Sequence, residues 1–181
     1  MTNFDTEHLT RLVDAGVPVV SNQVQYSIID RRPQHGLADY CQSKGIALLT
    51  YGSVGGGLLS ERFLGAPAPG PGQLTTPSLR MYSASAARFG GWGLVQELLV
   101  AMDGVAKRHG VTVASVALRY VLEQKAVGAA LVGVRNGLHV QDNLQAFSFR
   151  LGPQDYADLN AVLDRSKGPL GDVYGYERGY V

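Results

Sequence analysis

Cysteine is almost missing from this chain. Cys41 is the only one among 181 residues, which excludes an internal disulfide and makes a reducing, cytoplasmic compartment the expectation. Charge is sparse as well: 17% of residues are charged and the net charge is +1, with no cluster of Lys and Arg. A surface dedicated to nucleic acid or to an anionic membrane needs such a cluster, so neither partner is expected. Apolar runs are short, and none approaches the ~20 residues needed to cross a bilayer. Polar Thr2 and Asn3 and acidic Asp5 and Glu7 follow Met1, where a secretory signal would have a basic flank and an apolar run. The four histidines show no ligand spacing with Cys41, so no metal site is expected, and His8, His35 and His109 fall on polar helix positions that read as surface. A G-x-S-x-G elbow is missing, and Gly55-Gly56-Gly57 lacks the Lys and Ser/Thr of a phosphate-binding P-loop.

What is present is enough apolar material, 45% of residues, for one core, and residues 1–181 read as a single domain. The stretch from Gly45 to Ser60 organises the rest. Ile46-Ala47-Leu48-Leu49 is an unbroken apolar run, the pattern of a parallel strand buried on both faces. It breaks at Tyr51-Gly52, and Gly55-Gly56-Gly57 follow. Glycines just past the carboxyl end of such a strand let backbone come close to a ligand, at the end where barrels and open α/β sheets place their sites.

Upstream, Asp5 or Thr6 caps a helix bearing Leu9, Leu12 and Val13, Val19 to Val24 reads as a strand, and a helix from Gly36 to Ser43 leads into the run at Ile46. This rhythm is a βαβ unit with parallel strands. Residues 52–91 read as a long flexible loop, because Ala66-Pro67-Ala68-Pro69-Gly70-Pro71-Gly72 removes donors and adds chain entropy. Such a connection is either a functional lid or a mobile surface loop. Helical spacing returns with Leu94, Val95, Leu98, Leu99, Met102 and Val105 up to Gly110, and Thr112 caps a further helix. Ala129-Ala130-Leu131-Val132 is the last apolar strand; helices from Leu138 to Phe147 and after Gly152-Pro153 follow. The tail, 168–181, sets Tyr174, Tyr176 and Tyr180 among glycines and matches no element.

Polar residues gather at the carboxyl ends of these strands. Arg135 and Asn136, followed by His139, Asp142 and Asn143, lie between a strand and a helix start, where backbone amides and the Arg135 guanidinium make an anion site; an ordinary capped helix with solvated side chains is the alternative. Asn22 and Gln23 are amides in an apolar strand, which calls for either a ligand or a backbone partner. Tyr51 could stack on a planar ligand or be a core tyrosine with a bonded hydroxyl.

In Asn22-Gln23-Val24-Gln25-Tyr26-Ser27, Leu49-Thr50-Tyr51-Gly52 with Gly55-Gly56-Gly57-Leu58-Leu59, and Gly133-Val134-Arg135-Asn136 ending in Asp142-Asn143-Leu144, the chain resembles the late strands of the aldo-keto reductases over nearly its whole length. The resemblance implies an α/β fold, a partial (β/α)8 TIM barrel comprising the C-terminal half with strands six to eight, and NADP(H) as cofactor. By position it implies that Gln23 and Asn3 hold the nicotinamide carboxamide and that Tyr51, with Gly52 behind it, stacks on the nicotinamide. Gly133, Val134, Arg135 and Asn136 would wrap the adenosine phosphates, His139 would stand where many members carry an arginine for the 2′-phosphate, and Asn143 would reach the adenine. Family members carry their catalytic Asp, Tyr, Lys and His on the first four strands, and none has a counterpart here. The chain is therefore not expected to reduce carbonyls alone, since a missing acid typically costs ~10²–10⁴-fold in rate.

Three readings follow from the residues. The chain is the cofactor-binding half of a reductase; or a repurposed non-redox catalyst, a cyclase, dehydratase or isomerase using Tyr26, Asp30, Tyr51 or Tyr82 on a small-molecule ligand; or a non-catalytic protein whose open strand edges bind its own copy or a complementing chain.

Overall fold

Hydrogen bonding along three short apolar segments builds a parallel sheet. The computed structural model describes residues 1–134 and 137–179. Strands β1 (Ser21–Gln25), β2 (Ala47–Tyr51) and β3 (Val127–Leu131) lie in the order β1-β2-β3, all parallel, with Gln25 opposite Tyr51 and Tyr51 opposite Leu131. The first residues add to the outer edge of β1: Gln23 N–H donates to the Met1 carbonyl (2.9 Å) and Asn3 N–H to the Gln23 carbonyl (2.8 Å). A stub of a further parallel strand is thereby in place, and Thr2 bridges Gln23. The opposite edge, along β3, has no strand beside it among the described residues.

Side chains alternate across the sheet as the pleat requires. Asn22, Val24, Leu48 and Thr50 are buried on one face, whereas Ser21, Gln23, Ala47, Leu49 and Tyr51 on the other are half-buried. The expectation of strands buried on both faces is corrected here. Leu131 is 43% exposed, and Gly128 and Ala129 are exposed as well, on a strand with no further strand beside it among the described residues.

Two cores hold the helices. Leu9 from α1 (Thr6–Asp14) and Leu37 and Cys41 from α2 (Leu37–Lys44) pack with Val24 and Leu48 on the buried face. Asp5 caps α1 by accepting the His8 N–H (2.7 Å), and Gly45 ends α2 at φ 68°, a left-handed turn that glycine adopts without strain. The larger core joins Tyr26, Ile28 and Ile29 after β1 to α3 (Pro77–Phe89), α4 (Trp92–His109) and α5 (Val113–Leu122). After β3 come α6 (Leu138–Gln145), α7 (Pro153–Leu163), whose Leu159 and Leu163 close that core, and a short α8 (Gly175–Arg178) in the tail.

Residues 52–91, expected as one long loop, contain the 13-residue helix α3. Thr76 accepts the Leu79 N–H (3.1 Å), Pro77 supplies a preset φ at the first helical position, and Leu79, Tyr82, Ala86 and Phe89 form one buried stripe. The proline-glycine run ahead of it outweighed these signals. The three histidines read as surface each have a partner: His8 with Asp5, His35 with the Gly171 carbonyl, and His109 with Asp155.

Asp155 ties two helices together. Its carboxylate accepts the Gly152 N–H that opens α7 (2.8 Å), and pairs with Arg108 (2.8 Å) and His109 (2.8 Å) at the end of α4. Burial works against the charge, but these donors outweigh it and hold the Asp155 pKa below its ordinary 3.8. A carboxylate depressed in the folded state stabilises the fold above its unfolded pKa, and that stabilisation is lost as pH falls through the folded value. Urea titrations should therefore show stability falling as pH drops below about 4, with a shallower fall for Asp155→Asn, and equal slopes would contradict the assignment.

Candidate functional site

The carboxyl ends of the strands bring together residues far apart in sequence. The Tyr51 hydroxyl, at the end of β2, donates to Asn3 Oδ1 at 3.0 Å, and Asn3 is held at φ 56° by its backbone bond to Gln23. Gln23 and Tyr51 lie on the same half-buried face of the sheet, and the Gln23 amide has no hydrogen bond among the described residues. Asn3, Gln23 and Tyr51 thus share one mouth. Asn22, the other amide, is fully buried and turned away; its Nδ2 donates to the Phe4 carbonyl at 2.7 Å, so it fastens the N-terminal stub.

Gly52 has φ +73° and Gly56 φ +63°, and both meet Tyr82 of α3. A Cβ on Gly52 would stand 2.5 Å from Tyr82 Cε1, and one on Gly56 2.8 Å from Cδ2. The reading that these glycines admit a ligand is corrected at these two positions: the close approach is made by the Tyr82 ring. Tyr82 is buried, and desolvation pushes its hydroxyl up to about 12. Tyr51 is raised too, first by burial and then by the negative charge of Glu177. Neither phenol is a ready acid near neutral pH.

Of the remaining catalytic candidates, Asp30 lies near enough to Tyr51 and Tyr82 for its charge to raise both phenols. Asp30 grips the buried Arg32, Oδ1 to Nε at 2.9 Å and Oδ2 to Nη2 at 2.8 Å, and Arg32 also binds Glu177 of α8 at 2.6 Å. All three side chains are under 10% exposed. Burial opposes the guanidinium's charge, but the two carboxylates more than offset it and raise its pKa. Tyr26 is buried between β1 and α5, with its hydroxyl toward Gln34 and Tyr120.

The sequence reading missed Arg32, Glu177 and the course of the tail. Val173 is buried against Leu9 and Leu37, Asp172 accepts from both N–H and Oγ1 of Thr6 (2.9 and 2.6 Å), and Tyr174 stacks on His8 with centroids 4.3 Å apart. Tyr176 lies against the guanidinium of Arg88 (4.0 Å) on α3 and that of Arg32 (5.0 Å). The tail is a strap between the start of α1, the turn after β1, and α3. The Asp30-x-Arg32 pair just past a strand end is the local signal that could have found this node.

Beyond β3, Gly133 and Val134 continue from Leu131, the residue paired with Tyr51, so they emerge at the same end of the sheet. A Cβ on Gly133 would meet nothing within 4 Å, and Val134 is exposed. Asn143 on α6 lines an apolar groove with Val134, Leu144 and Phe147. Arg135, Asn136 and the side chain of His139 lie outside the described residues. Among the described residues no group of acidic, His and Cys side chains could hold a metal, and no helix is long and apolar enough to cross a membrane.

Known proteins resemble this chain in sequence and in fold. Pyridoxal reductase from Arabidopsis thaliana chloroplasts is 28% identical across 96% of this chain and 46% of its own length. Flagellar radial spoke protein 5 of Chlamydomonas reinhardtii is 36% identical over 125 residues, 68% of this chain and 24% of that protein. The chain thus spans at most about half of these relatives. Among solved structures, the glycerol dehydrogenase of Gluconobacter oxydans superposes with a TM-score of 0.73 at 18% identity, over 96% of this chain and 51% of that one. Aldo-keto reductase barrels are thus matched over about half of their length, in keeping with three parallel strands of a partial (β/α)8 barrel. The model of the Aldo/keto reductase family matches residues 1–164, which places the chain as a member of the aldo/keto reductase family.

Proposed function

We propose that this chain is the NADP(H)-binding half of a carbonyl or alcohol oxidoreductase. The observation that carries the reading is the Tyr51 to Asn3 hydrogen bond beside the unpartnered Gln23 amide. A carboxamide needs a donor and an acceptor set side by side, and Asn3 and Gln23 offer both. The Tyr51 ring, held by its hydroxyl, is a fixed platform for a flat heterocycle. Open space lies beside Gly133, which suits close approach of phosphates to backbone N–H groups. A dinucleotide bound there supplies a hydride to a carbonyl carbon. The residues of this chain bind and orient it, while the raised phenols of Tyr51 and Tyr82 do not protonate an alkoxide efficiently. Reduction of carbonyls by the chain alone is expected to be negligible.

NADPH fluorescence titration tests the reading. Wild-type protein should bind, and Tyr51→Ala should weaken binding by ~10-fold or more, in line with ~1–3 kcal/mol for a stacking platform. No binding at millimolar NADPH, or equal affinity for Tyr51→Ala, would count against it.

A partner is part of the same proposal. The edge of β3 has no strand beside it among the described residues, and Leu131, Val134, Leu144 and Phe147 are exposed. Such an edge pairs readily with a second copy or a complementing chain. Light scattering should give a mass above that of one chain; a stable monomer argues against this element.

A further inference from the structure

One cleft of the molecule has a lining that includes neither Asn3 nor Tyr51. It lies between the turn after β1, α2, α5 and α7, and encloses about 360 Å³, within the range of small-molecule sites. Tyr26 belongs to its wall and is 0% exposed, yet its hydroxyl has no hydrogen-bond partner. Arg31, Gln34, Tyr120 and Tyr156 line the same cleft around Tyr26. The Gln34 amide nitrogen is turned instead to Gln124 Oε1 (3.1 Å) and Tyr120 (3.4 Å). An orphaned buried hydroxyl is costly, and structures keep one where something else satisfies it.

The rest of the lining says what that is. Arg31 spends one N–H on the Leu163 carbonyl (2.8 Å) and forms no ion pair among the described residues, so its other donors are free. Lys125 stands at the rim, its charge shared with Asp39, the only carboxylate of the lining, across a pair more than 60% exposed on both sides. Asn160 adds a second amide. The rings of Tyr120 and Tyr156, 6.4 Å apart between centroids, give flat apolar walls. Donors outnumber acceptors, positive charge exceeds negative, and the walls are aromatic. We propose that this cleft binds a small organic oxyanion, a carboxylate or a phosphate on a compact body, with Tyr26 and Arg31 as its inner donors and Lys125 at the entrance. The site is independent of the nicotinamide mouth.

The test is ¹H–¹⁵N NMR of the full chain titrated separately with benzoate and with inorganic phosphate. At least one of them should shift the side-chain amides of Gln34, Gln124 and Asn160 with a dissociation constant of order millimolar. The tighter of the two tells carboxylate from phosphate. Tyr26→Phe should weaken binding ~10-fold, as expected for a lost hydrogen bond to a charged group. Lys125→Gln, at an exposed position that cannot disturb folding, should weaken it ~3-fold. Failure of both probes to shift these amides, shifts confined to the segment around Gly133, or unchanged affinity in both variants would overturn the proposal. Neither result depends on whether NADPH binds.

Discussion

Arg32→Met should destabilise the protein by ~3–5 kcal/mol, the usual result of removing one partner from a buried ionic cluster. Asp30 and Glu177 would then face each other without a counter-charge, 1% and 8% exposed. Repulsion has one easy outlet. The short α8, which carries Glu177, can leave, because the Tyr176 contacts with arginines and the Tyr174 stack on His8 that also attach it are aromatic contacts near the surface. Equilibrium denaturation should show the loss in stability, and limited proteolysis should cut the tail of Arg32→Met much faster than that of wild type. Glu177→Gln keeps the shape and leaves one positive and one negative charge, so its cost should be smaller, of order ~1–2 kcal/mol. Equal costs for the two variants would mean that the strap is held by packing alone.

The second large effect is expected at Gly52. Alanine there must adopt a left-handed backbone, which costs roughly 1 kcal/mol, and must also push aside a ring 2.5 Å from its new methyl. That ring is confined: Tyr82 is buried and also touches Gly56, so it cannot swing away without opening the contact between α3 and the glycine turn. Overpacking of this kind adds ~1–3 kcal/mol, giving a total of ~2–4 kcal/mol for Gly52→Ala. The steric part should vanish when Tyr82 is trimmed. A double-mutant cycle with Tyr82→Ala should show favourable coupling, with the pair costing less than the sum of the single changes. Additive costs would show that the backbone conformation, and not the ring, requires glycine.

These two nodes also mark where sequence reading succeeded and where it stopped. The carboxyl ends of β1 and β2 were legible because parallel strands announce themselves as short apolar runs cut off by polar residues and glycine. By resemblance Asn3, Gln23 and Tyr51 were expected to hold a nicotinamide; in the structure Asn3 accepts from the Tyr51 hydroxyl and donates its N–H to the Gln23 carbonyl. Burial was less legible. Ala47, Leu49, Ala129 and Leu131 are as apolar as core residues, but exposure depends on what lies opposite, and Ala129 and Leu131 stay exposed on a strand with no further strand beside it among the described residues. Glycine was read correctly as a marker of close approach and wrongly as to what approaches, since Tyr82 follows Gly52 by a whole loop and nothing local links them. The tail was opaque for the same reason. Glu177 has no meaning until Arg32, remote in the chain, supplies the charge that fixes it.

Helix α3 is a different case, because its signals were local and present. Thr76-Pro77 is a cap followed by a favoured first residue, and Gly90 ends the helix. A run of prolines and glycines immediately before a helix says nothing about the residues after it. Composition averaged over 52–91 hid a boundary that position-by-position reading of caps would have found.

The claim on which the functional account rests is that the ring of Tyr51 lies under a nicotinamide while Asn3 and Gln23 hold its carboxamide. Intermolecular NOEs between NADP⁺ and the protein address it directly. The account predicts contacts from the nicotinamide ring protons to the Tyr51 ring, lost in Tyr51→Ala while the fold is kept. Contacts to another part of the surface, or none at saturating cofactor, would contradict it.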